Sequence, residues 1–130
     1  MRVLVDTHTL LWMLHDDPRL SAKAGQAILD AEEAYWSILS LWEIAIKQGL
    51  QKRQLYQLPD NWTKQIPAIL RENQLQEISI KAEYCNKLTD LPLHHRDPFD
   101  RMLITTAQCE DLTLISRDSA FQHYDVKTLW

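Results

Sequence analysis

Five carboxylates stand where an apolar, extended run gives way to helical sequence, and that placement could do chemistry. Asp6 closes the run Arg2–Asp6. Glu43 lies near the start of Ser40–Leu50, Asp97 and Asp100 open Pro98–Glu110, and Asp118 follows Leu112–Ile115. Each has an ordinary structural use. Ser40-Leu41-Trp42-Glu43 reads as a capping box, with Ser40 as N-cap and Glu43 at N3. Asp97-Pro98-Phe99-Asp100 reads as an N-cap, a proline at N1 and an acid at N3. Asp6 and Asp118 can cap the helices that follow them. As a set they suggest more. If the strands bearing Asp6 and Asp118 are neighbours, the acids converge in one crevice. Helix N-termini favour ionised carboxylates, while crowded carboxylates repel one another, so a cation is needed to hold them together. Hard oxygen ligands suit Mg²⁺ or Mn²⁺, and such an ion can activate water beside a phosphoryl oxygen. Asp6, Glu43, Asp100 and Asp118 are therefore the candidate catalytic and metal-holding residues, with Asp97 accessory.

Cations near these acids are candidates for phosphate binding: Arg101 and Lys47 foremost, with Arg96 and Arg117 as further possibilities against a solvated-face reading. His94-His95 could bind metal or shuttle a proton, but a loop pair with no third imidazole nearby reads more readily as solvent-exposed. His8 could line the crevice or pack. Trp12, Trp36, Trp42, Trp62 and Trp130 could stack bases, though core or interface anchoring is the commoner use. Trp12 and Trp42, on amphipathic stretches, suit a dimer or partner groove.

The elements that must position these residues alternate. Strands are predicted at Arg2–Asp6, Ala34–Trp36, Leu75–Ser79, Leu112–Ile115 and Val126–Leu129. Helices are predicted at Thr9–Leu14, Ser21–Ala31, Ser40–Leu50, Asn61–Glu72, Ile80–Leu88, Pro98–Glu110 and Ser119–Tyr124, with Pro67 expected to kink or split the fourth. Loops are expected at Gln51–Pro59 and Thr89–Arg96. Strands alternating with helices imply a parallel α/β sheet covered on both faces, with its ligand crevice beyond the carboxyl ends of the strands.

Composition sets the outer limits. The chain has 130 residues, 45% of them apolar, which suits a single domain spanning 1–130 with one substantial core. Only Gly25 and Gly49 are glycines, so glycine-rich phosphate loops are excluded. A net charge of −4 argues against non-specific coating of nucleic acid, not against an enzyme that touches a short RNA segment. Cys85 and Cys109 stand in no metal-ligand spacing and read as buried or inert thiols of a reducing compartment. Asp6 interrupts the first apolar run, and no stretch is long enough to span a membrane, so the expected location is cytoplasmic.

Four stretches together resemble PIN-domain ribonucleases, specifically the VapC-type toxins of toxin–antitoxin pairs. They are Val3-Leu4-Val5-Asp6-Thr7-His8, Ser40-Leu41-Trp42-Glu43-Ile44-Ala45-Ile46-Lys47, the run from His95 to Ile104, and Leu114-Ile115-Ser116-Arg117-Asp118-Ser119-Ala120-Phe121. The resemblance implies a three-layer fold with a parallel sheet of about five strands, Mg²⁺- or Mn²⁺-dependent endoribonuclease activity, a homodimer and an inhibitory antitoxin. It places Asp6, Glu43, Asp100 and Asp118 at the family's acidic quartet and Asp97 at an accessory acid. Ser116 stands where many members have Thr, able to orient Asp118 or a water, and Thr7 is a further accessory residue. The competing readings are a catalytically idle PIN-like module that binds RNA or protein, a phosphorelay receiver and a haloacid-dehalogenase phosphatase. A filled quartet argues against the first. The lone Asp6 ending the first strand, and Leu75–Ser79 ending without an acid, argue against the second. His8, where an acid is needed two residues after Asp6, argues against the third.

Overall fold

The computed structural model describes residues 1–50 and 56–130; positions 51–55 of the expected loop Gln51–Pro59 lie outside the described residues. Five strands form one sheet: β1 (Arg2–Val5), β2 (Glu33–Ser37), β3 (Leu75–Ile78), β4 (Thr113–Ile115) and β5 (Thr128–Leu129). Their order is β3-β2-β1-β4-β5, and every described pairing is parallel. The helices are α1 (Thr7–Leu14), α2 (Ala22–Asp30), α3 (Ile38–Gly49), α4 (Trp62–Glu72), α5 (Ala82–Thr89) and α6 (Pro98–Glu110), followed by a 3-10 turn at Ser119–His123.

The central strand shows why the sheet is sandwiched. Val3, Leu4 and Val5 are fully buried, and successive side chains point to opposite faces. Val3 and Val5 pack with Leu10, Ile28, Ile44, Ile66 and Leu70, whereas Leu4 packs with Tyr84, Leu103, Ile104 and Phe121. A strand buried on both faces reads as continuous apolar sequence, which made Arg2–Asp6 legible. The chain builds β1, β2 and β3 in one direction and then returns to place β4 on the other side of β1. The order reverses beside β1, where a crevice opens at the carboxyl ends of the strands.

Several boundaries differ from expectation. The third helix begins at Ile38, directly after β2, and its N-cap is Ser37, whose hydroxyl accepts from the Leu39 amide. Ser40 is therefore helical interior, and the capping-box reading of Ser40 and Glu43 is incorrect. The apolar Ile38-Leu39 pair extends the helix by a turn without an intervening loop. The first helix starts two residues earlier than predicted, capped by Asp6. Helix α4 runs unbroken through Pro67. The last strand is shorter than predicted, at Thr128–Leu129. Trp12 is buried rather than offered to a partner. Of the buried-or-inert reading of the thiols, burial does not hold: Cys85 is exposed and Cys109 half-buried, and both are free. Among the described residues no helix is long and apolar enough to cross a membrane.

Candidate active site

Asp6 sits at the end of β1 with a strand on each side, so it is the buried floor of the crevice. One carboxylate oxygen caps α1 by accepting from the Thr9 amide at 2.9 Å; the other accepts from the Ser116 hydroxyl at 2.5 Å. The Thr9 hydroxyl in turn holds the Ile115 carbonyl at 2.9 Å, tying α1 to β4. Burial pushes the Asp6 carboxyl above the usual range, opposed by the hydrogen bonds from Ser116 and Thr9. Ser116 also accepts from the Asp118 amide at 3.1 Å. A single hydroxyl therefore fixes two acids from neighbouring strands.

Glu43 enters from the second turn of α3 and is 3% exposed, which is unusual for a carboxylate without close partners. Its oxygens are both engaged. Thr7 donates to Oε1 at 2.6 Å and Lys47 to Oε2 at 2.7 Å, while the Thr7 and Ser40 hydroxyls lie 2.9 Å apart. Lys47 is thus the partner of Glu43, one turn on along α3, with its stem half in solvent.

Asp97 caps α6, accepting from the Phe99 and Asp100 amides. Pro98 follows at the first helical position, where its missing N–H costs nothing. This cap aims Asp100 into the crevice, where burial, reinforced by the charges of Asp97, Glu43 and Asp6 and opposed by a hydrogen bond from His95, pushes its carboxyl up to about 7. Asp118 caps the 3-10 turn through the Ala120 amide and is the most exposed acid of the set.

His95 is the residue that sequence reasoning set aside. Its Nε2 lies 2.8 Å from Asp100 Oδ2 and 3.7 Å from Asp118 Oδ2. The three side chains offer ligand atoms within 4.8 Å of one another. His94 is exposed as expected, but His95 is drawn in because the loop is pinned: the Tyr124 hydroxyl accepts the amides of His94 and His95 and donates to the Pro92 carbonyl. Arg101 joins the same clasp, donating to the carbonyls of Leu91 and Pro92. Its guanidinium, a candidate phosphate ligand from sequence, is engaged by the loop backbone. His94 packs against Tyr124 instead.

The donor set fits a divalent cation. Asp6, Glu43 and Asp100 are largely withdrawn from water, and burial, with the neighbouring acids adding to it, raises the Asp100 carboxyl to about 7. Such crowding is relieved by a hard cation. Among the described residues, His95, Asp100 and Asp118 are the group whose ligand atoms lie close enough together to share one ion, with Asp6 and Glu43 buried deeper in the same crevice.

A doubly wound parallel α/β domain with an acidic crevice at its switch point is thereby defined, and comparison with known proteins places it. The PIN domain family profile matches residues 3–127, and the chain belongs to that family. Ribonuclease VapC22 of Mycobacterium tuberculosis is 27% identical over 132 aligned positions, covering 98% of each chain. VapBC2 from Rickettsia felis, solved bound to a promoter DNA fragment, superposes with a TM-score of 0.71 at 13% identity, covering 99% of this chain and 98% of that one. FitAcB from Neisseria gonorrhoeae gives a TM-score of 0.66 at 18% identity, covering 100% and 97%. These structural likenesses establish the three-layer fold.

Proposed function

We propose that the chain is the endoribonuclease toxin of a toxin–antitoxin pair, hydrolysing RNA phosphodiesters with Mg²⁺ or Mn²⁺ held by Asp6, Glu43, Asp100 and Asp118. The observation that carries this reading is the convergence of four acids from four separate segments on one crevice: Ser116 ties Asp6 to the Asp118 segment, His95 lies between Asp100 and Asp118, and the charges of Glu43 and Asp6 reach Asp100. The similarity to a ribonuclease over nearly the whole length supports RNA as substrate. The fold shared with toxin–antitoxin complexes supports a protein inhibitor.

The chain's own residues divide the work. Ser116 and the Thr9 amide hold Asp6 in one orientation; Thr7 and Lys47 do the same for Glu43. Fixed ligand orientation of this kind typically controls metal affinity tenfold or more. Asp97 sets the start of α6 and hence the reach of Asp100. When bound, the cation supplies Lewis acidity and a water of lowered pKa beside the phosphate. Asp118, the acid most open to solvent, is best placed to meet water entering with the substrate.

Trp42 and Ile46 on α3, and Leu50 at its C-cap, follow at four-residue spacing and are exposed. Trp42 meets Phe99 edge-to-face at 5.1 Å. An apolar stripe of this kind is costly to leave in water, and it supports both a homodimer and an antitoxin helix laid beside the crevice. The test of function is cleavage of RNA by chelator-treated protein, with and without added Mn²⁺ or Mg²⁺. Cleavage only with metal supports the reading. Equal cleavage in EDTA, or none under either condition, rejects it.

A further inference from the structure

A ring of five acids repels the polyanion it is meant to cut, so some cation must draw RNA to the crevice. The first two candidates are committed elsewhere: Lys47 is paired with Glu43, and Arg101 clasps loop carbonyls. Arg117 is different. It stands between Ser116 and Asp118, is exposed, and has no carboxylate at ion-pair distance among the described residues. Ser116 and Asp118 turn toward the acids, and Arg117 turns the other way, its guanidinium carbon 5.9 Å from the centre of the buried Trp12 ring. His8 stacks on the same indole at 5.7 Å and Trp130 meets it edge-on at 5.5 Å. Arg19 also lies over this ring, at 5.2 Å, but Asp17 grips it through two hydrogen bonds from its side chain. Trp12 is therefore an aromatic plinth that orients one unpaired guanidinium, with a solvent-exposed imidazole beside it, at the rim of the crevice. A guanidinium drawn to the face of an aromatic ring loses some of its freedom in advance, which lowers the cost of holding its donors toward a phosphate.

We propose that Arg117, with His8 beside it, binds a phosphate of the RNA strand flanking the scissile bond on the α1 side of the crevice. This rests on the ribonuclease reading of the acids. Arg117 positions the strand and takes no part in bond cleavage, so its loss weakens binding without altering the reaction once RNA is seated.

The test uses Arg117→Ala and the neutral, longer Arg117→Gln, with Arg117→Lys as the charge-retaining variant and Arg19→Ala as the matched control. Cleavage kinetics are measured in the otherwise unaltered protein. Binding of a short, unstructured, fluorescein-labelled RNA is followed by anisotropy against salt in the cleavage-deficient Asp100→Asn background. Arg117→Ala and Arg117→Gln should raise KM about tenfold, the scale of one charge-assisted hydrogen bond, with kcat little changed. The slope of log affinity against log salt should flatten by about 0.7, the loss of one single-strand phosphate contact. Arg117→Lys should keep most of the slope, and Arg19→Ala should keep all of it. An unchanged KM and slope in both neutral variants overturns the proposal, as does equal flattening in Arg19→Ala. If the parent cleaves RNA while the Arg117 variants match it, only this assignment falls. If the parent does not cleave RNA at all, the ribonuclease reading falls and this inference with it.

Discussion

Replacing Asp100 by Asn should stabilise the metal-free protein and abolish its response to metal. The Asp100 carboxyl is pushed from 3.8 to about 7, chiefly by burial, and then by the charges of Asp97, Glu43 and Asp6. A rise of three units corresponds to ~4 kcal/mol of differential stability at most. The side chain is 18% exposed, so solvent screening removes only part of this. Asn also gives up the charged acceptor that His95 meets at 2.8 Å. A gain of about 1–3 kcal/mol should remain at pH 8, or about 5–10 °C in melting temperature for a chain of this size. The sign in pH follows from a folded pKa above the unfolded one. The parent's stability is fully present below about 3.8 and is lost as pH rises through about 7. The advantage of Asp100→Asn should therefore be near zero at pH 4 and complete by pH 8. Saturating Mn²⁺ should reverse the order, because the parent gains ~4.1 kcal/mol at a thousandfold excess over the dissociation constant and the variant does not. Thermal melts in EDTA and in Mn²⁺ across this pH range read all of it. A variant that melts below the parent at pH 8 in EDTA, or a difference that does not change with pH, would refute the reasoning.

Glu43→Gln should keep parental stability within about 1 kcal/mol and lower metal-dependent cleavage by orders of magnitude, whereas Ser37→Ala, which removes the true N-cap, should cost about 1 kcal/mol and leave cleavage near parental; melts and cleavage rates on the two variants check the pair. Ser116→Ala frees Asp6 and the Asp118 amide together, so Mn²⁺ affinity by calorimetry should fall about 10–100-fold, and Ser116→Thr should restore it. Arg101→Ala should act on the loop rather than on substrate: removing the donors to Leu91 and Pro92 should lower the melting temperature and loosen His95, visible as faster amide exchange at His94 and His95, with the salt dependence of RNA binding unchanged.

Much of this architecture is written in local signals. Buried parallel strands advertise themselves as unbroken apolar runs, so Arg2–Asp6 and Leu112–Ile115 were legible along with the acids that end them. The Asp97-Pro98 pair marked the start of α6 correctly, because an N-cap and an N1 proline act within one turn. Ser37 and Ser40 could not be separated in the same way. Both precede apolar residues at helical spacing, and only the length of β2, set by its pairing with β1 and β3, decides which one caps. That one-turn error gave Glu43 a capping role that the structure removes, leaving Thr7 and Lys47 as its partners. His95 was out of reach for a different reason. Its place beside Asp100 depends on Tyr124, 29 residues away, gripping the loop backbone. The hold of Arg101 on the Leu91 and Pro92 carbonyls was out of reach for the same cause, since both lie in that clasped loop. Trp12 followed helical periodicity but carried no sign of its burial against Trp130.

The most direct test of the metal centre is anomalous scattering from crystals of the protein grown with Mn²⁺. The account predicts a Mn²⁺ signal within ligand distance of carboxylate oxygens from Asp6 and Asp100, completed by Glu43 or Asp118, and lost in Asp100→Asn. A signal absent from this crevice at saturating Mn²⁺, or unchanged in Asp100→Asn, would contradict it.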